Sequence, residues 1–460
     1  MCSRGGVVWS QLDQALGWGW VTLSDFAPQG STASEIASSI ERGIRDGALL
    51  PGAPLPSVRR LASRLTLSPA TVASAYRILR DRGVVTSRER GRTRVSIKPP
   101  VASRVEFKIS ASTRDLASGN PDVDLLPPFP VEELSRGPSR KLYGDPPVLP
   151  ELRALAIQRL DLPSTARDDL VVVNGGLDGV ERVLGAYLRP GDRVAVEDPC
   201  FTGVLDLLRV MNLDPQPMLI DEYGPIPTEL DRCLSEGAQA VVITPRCQNP
   251  TGAALNAQRA EELRDVLRRY PSALVVEDDH AGSTTTLPRY SVITERPRWA
   301  VVSSVAKSLG PDLRVAIVVG DPTTVGRVEG RQLLGCGWVS HILQSVVAAF
   351  WGSPEIVNSL SEAATTYDRR RNALVEALAD HGVLATGRSG FNVWIPVDNE
   401  SAIVTSLLDR GWAIRAGEPY RIRSGPGVRV TTATLDPDEA KRFAADFARI
   451  SAPQRSTRLA

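Results

Sequence analysis

The chain has 460 residues, 42% hydrophobic and 23% charged, which is too long for one ordinary domain and balanced for a globular protein with two or three cores. No apolar run reaches bilayer-spanning length, and the residues around Trp9, Trp18 and Trp20 lack the order of a signal peptide, so a cytoplasmic protein with no membrane partner is expected. The net charge of +1 hides an asymmetry: residues 31–98 hold thirteen Lys and Arg against five Asp and Glu, a net +8, leaving −7 for the rest.

Residues 1–30 form an N-terminal extension for which a flexible arm and an added helix at a subunit interface are equally open. In the stretch 33–47, Ile36, Ile40 and Ile44 recur every fourth residue, one apolar stripe of a helix, closed by Gly47 and Pro51. A second helix is predicted from Ser57 to Leu65, with Val58, Leu61, Ala62 and Leu65 on one face and Arg59, Arg60 and Arg64 off it. After the turn at Thr66-Leu67, Ser68-Pro69 reads as an N-cap followed by proline at the first helical position. The third helix then runs to about Arg82, burying Val72, Ala75, Tyr76 and Leu79 and turning Ala70, Thr71, Ser74 and Arg77 outward. Two short strands, 84–87 and 93–96, bracket the basic tip Arg88-Glu89-Arg90-Gly91-Arg92, with Thr93 opening the second strand.

Two helices joined by a short turn make a helix-turn-helix, whose second helix reads base edges from its N-terminal end while nearby cations hold the backbone. A basic head on an acidic body has double-stranded DNA as its usual partner, a merely solvated basic face being the competing reading. The run "GALLPGAPLPSVRRLASRLTLSPATVASAYRILRDRGVV" resembles the winged-helix head of GntR-type regulators, over residues 31–97. That resemblance implies DNA contacts from Arg59, Arg60, Ser68, Thr71, Arg77, Arg92 and Thr93. Arg90-Gly91-Arg92-Thr93 departs from the glycine-rich wing usual before that threonine.

Residues 98–115, with Pro-Pro and no helical period, read as a linker. Beyond it the pattern alternates. Apolar runs at 170–173, 193–196, 240–244, 273–277, 299–303 and 315–319 alternate with helical stretches at 178–188, 256–269 and 364–379. This pattern predicts an α/β body with a mainly parallel sheet covered on both faces, and ligands at the carboxyl ends of its strands. Gly175-Gly176, Asp198-Pro199, Asn249-Pro250-Thr251-Gly252, Asp278-Asp279 and Lys307 fall at those ends. A desolvated lysine forms a Schiff base with an aldehyde, and an acid opposite a pyridine nitrogen makes the ring an electron sink. Gly175-Gly176 opening a helix, with Arg314, suits a phosphate. Asn249 suits a ring hydroxyl oxygen, and Phe201 suits stacking. Singly, each is as readily a turn, a cap or a core residue. Five scattered cysteines without a Cys-x-x-Cys pair, and His280, His341 and His381 far apart in the chain, suggest neither a disulfide framework nor a metal site.

The order of "NGGLDGVERVLGAYLRPGDRVAVEDPCF", "VVITPRCQNPTG", "VVEDDH", "SSVAKSLGPDLR" and "GVRVTTATL" resembles fold-type I aminotransferases over residues 116–455, with a smaller α+β subdomain from about 355. Head and body together resemble the MocR subgroup of GntR regulators. The resemblance implies pyridoxal 5'-phosphate as cofactor, with Lys307 as Schiff-base lysine and Asp278 as pyridinium partner. It further implies Asn249 and His280 near the ring oxygen, Phe201 on the ring, and Gly175, Gly176, Leu177, Ser304 and Arg314 around the phosphate. By the same resemblance Arg429 would take an effector carboxylate, and two chains would form a homodimer completing each other's sites. His280 stands where the family has Tyr, Ala306 where it has Ser, and Leu177 where a polar residue is common. Those departures speak against efficient transamination. The expected function is a transcriptional regulator sensing pyridoxal phosphate or its adduct with an amine or amino acid. The alternative is an active aminotransferase with an appended DNA-binding head.

Overall fold

The computed structural model describes residues 26–81, 84–86, 93–95, 110, 112–131, 141–160, 169–293 and 296–451. The chain divides into two compact units, Met1–Ser103 and Arg104–Ala460.

In the first unit α1 (Ala33–Arg45) opens on a capping box. The Thr32 hydroxyl accepts from the Glu35 amide, and the Glu35 carboxylate accepts from the Thr32 amide, satisfying two N–H groups that the helix itself leaves over. The helix stops two residues short of the expected Gly47, because Asp46 already closes the last turn. Helix α2 (Val58–Leu65) is capped by Ser57 and ends at Thr66 in the left-handed conformation. Helix α3 (Pro69–Asp81) follows, with the Ser68 hydroxyl accepting from the Thr71 amide. Ile36, Ile40, Leu61, Val72, Ala75 and Leu79 meet in one core, each burial contributing up to about 3 kcal/mol. Ile44 is only partly buried at its edge. Antiparallel strands β1 (Val85–Thr86) and β2 (Arg94–Val95) set Val85 opposite Val95 and close that core.

In the second unit β3 (Arg114–Asp115) pairs with a strand near the C-terminus. An eight-stranded sheet follows, built from β4 (Leu170–Val173), β5 (Arg193–Asp198), β6 (Asp214–Asp221), β7 (Gly224–Pro225), β8 (Ala240–Ile243), β9 (Leu274–Asp279), β10 (Trp299–Ser304) and β11 (Ala316–Gly320). Their order is β4-β11-β10-β9-β8-β5-β6-β7, parallel from β10 to β6, with β11 antiparallel to both neighbours and β7 antiparallel to β6. Successive residues of one strand feed opposite cores. Val172, Val241 and Val275 join one cluster; Val171, Val242 and Val276 join the other. That is why the strands read as unbroken apolar runs. Strand β6 has no such run: it carries Pro215 and Pro217, tolerated because most of its far side is an open edge.

A third core underlies β12 (Asn392–Pro396), β14 (Arg415–Ala416) and β15 (Gly427–Thr431), in the order β12-β15-β14, while β13 (Trp412–Ala413) pairs in parallel with β3. The long helix expected from Ala364 begins at Pro354, capped by Ser353, and runs to Asp380. Its first two turns expose Glu355, Asn358 and Ser359, so no apolar period announces them. Among the described residues no helix is long and apolar enough to cross a membrane.

Candidate functional site

The residues singled out in the body do converge at the carboxyl ends of the sheet. Lys307 follows β10, and its Nζ donates to the Gly119 carbonyl at 2.7 Å and lies 5.7 Å from the Phe391 ring centre. Burial, and then the nearby Arg429 guanidinium, lower its pKa to about 8. The amine is thus brought toward its neutral, nucleophilic form near neutrality. A small cleft lies here, lined by Gly119, Asn249, His280, Lys307, Phe391 and Asn392 among others.

Three consecutive acids end β9, and they are treated differently. Glu277 holds Arg289 at 2.8 Å, and Asp279 takes a two-point contact from Arg246 at 3.1 Å. Asp278 between them has no such cation: its Oδ1 is buried without a hydrogen-bond partner, and its Oδ2 lies 3.9 Å from His280 Nδ1. Burial pushes the Asp278 carboxyl up, His280 counters, and Asp279 adds to the rise. A buried acceptor without a donor costs about 1–3 kcal/mol, so the geometry favours a donor supplied from outside the chain.

Some of the other candidates lie directly beside this pair, and others one step removed. A Cβ at Gly176 would stand 3.5 Å from Ser304 Cβ and 3.8 Å from Asp278 Oδ1, so the start of the helix Gly176–Gly185 lies beside the acid. Gly175 has φ +101°, and a Cβ there would come within 2.8 Å of the Arg314 guanidinium; only glycine lets that cation approach. Amides of the first helical turn and Arg314 therefore share one end of the site. Ser304 Oγ accepts from the Ala306 amide. Phe201 and Leu177 pack together over Gly203 at the edge of one sheet core. Arg429 on β15 is buried and donates to Asn249 Oδ1 at 3.1 Å and to the Ala117 carbonyl, which leaves the Asn249 amide hydrogens available.

Several participants escaped the sequence reading. Gly119, Phe391 and Asn392 line the cleft from segments without a recognised motif. Behind it Glu197 accepts from the Thr244 amide and from Gln248, and burial pushes its pKa up to about 7. Asp198 accepts from the amides of Ile422, Arg423 and Ser424 and from the Ser424 hydroxyl, tying the loop before β15 to the end of β5. Only the Asp-Pro pair hinted at it.

In the head, Arg59 and Arg60 are exposed in the first turn of α2, and Arg77 is exposed on α3. Ser68 and Thr71 stand at the start of α3 with their hydroxyls 2.9 Å apart. The Tyr76 hydroxyl donates to the Pro56 carbonyl at 2.7 Å, fixing α3 against the turn that precedes α2. The Thr93 carbonyl accepts from the Leu55 amide, while Arg92 lies outside the described residues.

Known proteins match both units. The family described as "Bacterial regulatory proteins, gntR family" matches residues 32–95, and "Aminotransferase class I and II" matches residues 113–447. The vitamin B6 salvage pathway transcriptional repressor PtsJ of Salmonella typhimurium is 40% identical, over 91% of this chain and 98% of its own. The HTH-type pyridoxine biosynthesis transcriptional regulator PdxR of Corynebacterium glutamicum is 24% identical, over 85% and 89%. An archaeal alanine:glyoxylate aminotransferase superposes with a TM-score of 0.67 at 19% identity, over 74% of this chain and 90% of that one, which shows the fold of the body.

Proposed function

The chain belongs to the MocR subgroup of GntR-type transcriptional regulators, a winged-helix head with an aminotransferase body, and from that membership we propose that the body binds pyridoxal phosphate and the head reports its state to DNA. The observation that carries this is Asp278. A buried carboxylate oxygen without a donor, in the same site as a desolvated lysine, fits a ring nitrogen that brings its own proton. When bound, the cofactor supplies an aldehyde and an electron-accepting ring.

The chain's own residues do the rest. Lys307 offers the amine, and Asp278 accepts from the ring nitrogen. Asn249 donates to the ring hydroxyl oxygen with His280 beside it, and Phe201 covers a ring face. Gly175 and Gly176 present backbone amides to the phosphate, with Arg314 as cation and Ser304 as a hydroxyl; Leu177 adds its amide only. Arg429 receives the carboxylate of an amino-acid or similar effector. In the head, Arg59, Arg60 and Arg77 hold phosphates, while Ser68 and Thr71 face the bases from the start of α3. Two copies of the chain, in the cytoplasm, read paired half-sites of one operator. The names of the two regulators above support vitamin B6 supply as the process controlled.

Ala306 and Leu177 leave fewer side-chain donors for a phosphate than a hydroxyl-bearing pair, which favours a sensor over a turnover enzyme. Absorbance of the purified protein titrated with pyridoxal phosphate tests the reading. A new band that saturates at one cofactor per chain is expected, and a colourless protein at saturating cofactor defeats it.

A further inference from the structure

The segment just beyond the linker reaches into the cleft. Upstream it is fixed: β3 pairs with β13, and Leu116 donates to the Ala413 carbonyl and accepts from the Thr431 amide. Downstream it is clamped: the Asp122 amide donates to the Tyr367 hydroxyl at 3.1 Å, and the Asp122 carboxylate accepts from Arg370 at 2.8 Å. Between these anchors the chain is tethered to two cations of the candidate site. The Gly119 carbonyl accepts from Lys307 Nζ, and the Ala117 carbonyl accepts from Arg429. Gly119 has φ +70°, and a Cβ on it would lie 3.2 Å from the Arg429 guanidinium, so the backbone lies flush against that cation. Asp115 braces the span from its own side, accepting from the amides of Ala117 and Ser118 at 2.8 and 3.1 Å.

We propose that residues 117–121 are a strap held across the cleft by Lys307 and Arg429, and that its release carries the state of the site into the chain leading to the head. The proposal rests on the pyridoxal phosphate reading above. Condensation of the neutral Lys307 amine with an aldehyde joins Nζ to the aldehyde carbon, and the carbonyl oxygen leaves as water with both amine hydrogens. The lysine nitrogen then carries at most one hydrogen, held in the plane of the new double bond, and no longer turns freely toward the Gly119 carbonyl. A carboxylate seated on Arg429 competes with the Ala117 carbonyl for the same guanidinium and, being charged, wins. Cofactor on Lys307 therefore cuts one tether, and a carboxylate on Arg429 cuts the other. The two ligand states leave the strap held at different points.

Hydrogen exchange read by mass spectrometry on the full-length protein, with and without pyridoxal phosphate, tests this, while absorbance of the same samples reports cofactor capture. Exchange at the amides of residues 117–120 should rise roughly five- to tenfold on capture, as the Ala117, Ser118 and Asn120 amides lose the geometry that the tether holds. Lys307→Ala should show the fast rate with or without cofactor. Asp115→Ala loosens the strap from outside the cleft; it should still develop the absorbance band, but its operator affinity should no longer respond to cofactor. Unchanged exchange alongside a normal band overturns the strap and leaves the cofactor reading standing. A cofactor-responsive operator affinity in Asp115→Ala also overturns it. Absence of the band removes the cofactor reading and the strap together. Should Asp115→Ala fail to fold, the comparison of wild type with Lys307→Ala still decides.

Discussion

The head draws Arg59, Ser68, Thr71 and Arg77 from two consecutive helices and the turn between them, whereas the body assembles its cleft from Gly119, Asn249, His280, Lys307 and Phe391, which share no element. In the head a single helical period buries Val72, Ala75, Tyr76 and Leu79, and the outward face follows from it. In the body each strand spends alternate residues on two cores, so polar chemistry is left to the ends where the chain leaves the sheet. The contrast teaches where damage should travel. A change in the head acts on neighbours in sequence. A change in the body, at Asp115 or Asp198 for example, reaches the site through contacts between segments far apart in the chain.

The sharpest break between the two regions is Lys307→Ala. It should abolish the cofactor band completely while the protein still binds operator by fluorescence anisotropy; simultaneous loss of both would make the two regions one unit. Next is Leu79→Ala, at a fully buried position of the head core. A loss of about 2–4 kcal/mol is expected, and operator binding should melt away at temperatures where the cofactor band persists. Asp278→Ala removes the carboxylate proposed to face the ring nitrogen and should weaken cofactor binding by about 2–3 kcal/mol, read as the midpoint of an absorbance titration. Equal affinity in wild type and variant would mean Asp278 does not face the ring. Arg59→Ala or Thr71→Ala should cost about 1–3 kcal/mol in operator affinity and leave the cofactor band untouched.

The smallest effect is that of pH. Burial brings the Lys307 pKa down to about 8, so its reactive neutral fraction grows as pH rises to that value. Cofactor affinity should climb with pH and level off above about 8. Because the folded value lies below that of an unfolded lysine, the unfolded chain binds the extra proton between the two, and stability should also rise with pH from about 8 toward about 10. An affinity that keeps climbing past about 8 toward about 10 would place the lysine in water.

Much of the head was legible because its rules are local. Ser57 and Ser68 cap helices as their spacing from the apolar stripe requires, and Val85 meets Val95 across a short hairpin. In the body the fully buried strands were legible from their apolar runs, but β6 was not, since Pro215 and Pro217 are acceptable only on an edge that sequence alone does not locate. The five motif segments were visible in order. The lining from Gly119, Phe391 and Asn392 was not, because a carbonyl or a ring that serves a site from a distant segment leaves no period and no cap.

Sequence by itself determined the head's helices with their buried faces, the fully buried strands of the body, and the order of the candidate motifs, since these depend on steric and hydrophobic preferences acting over a few residues. Only the tertiary structure decided that β11 runs against its neighbours, that Asp278 alone of three adjacent acids lacks a cation, and that Lys307 and Arg429 both grip the segment beyond the linker. Those facts concern pairs of groups far apart along the chain. Their energies depend on distance and burial, which exist only once the sheet has brought the segments together.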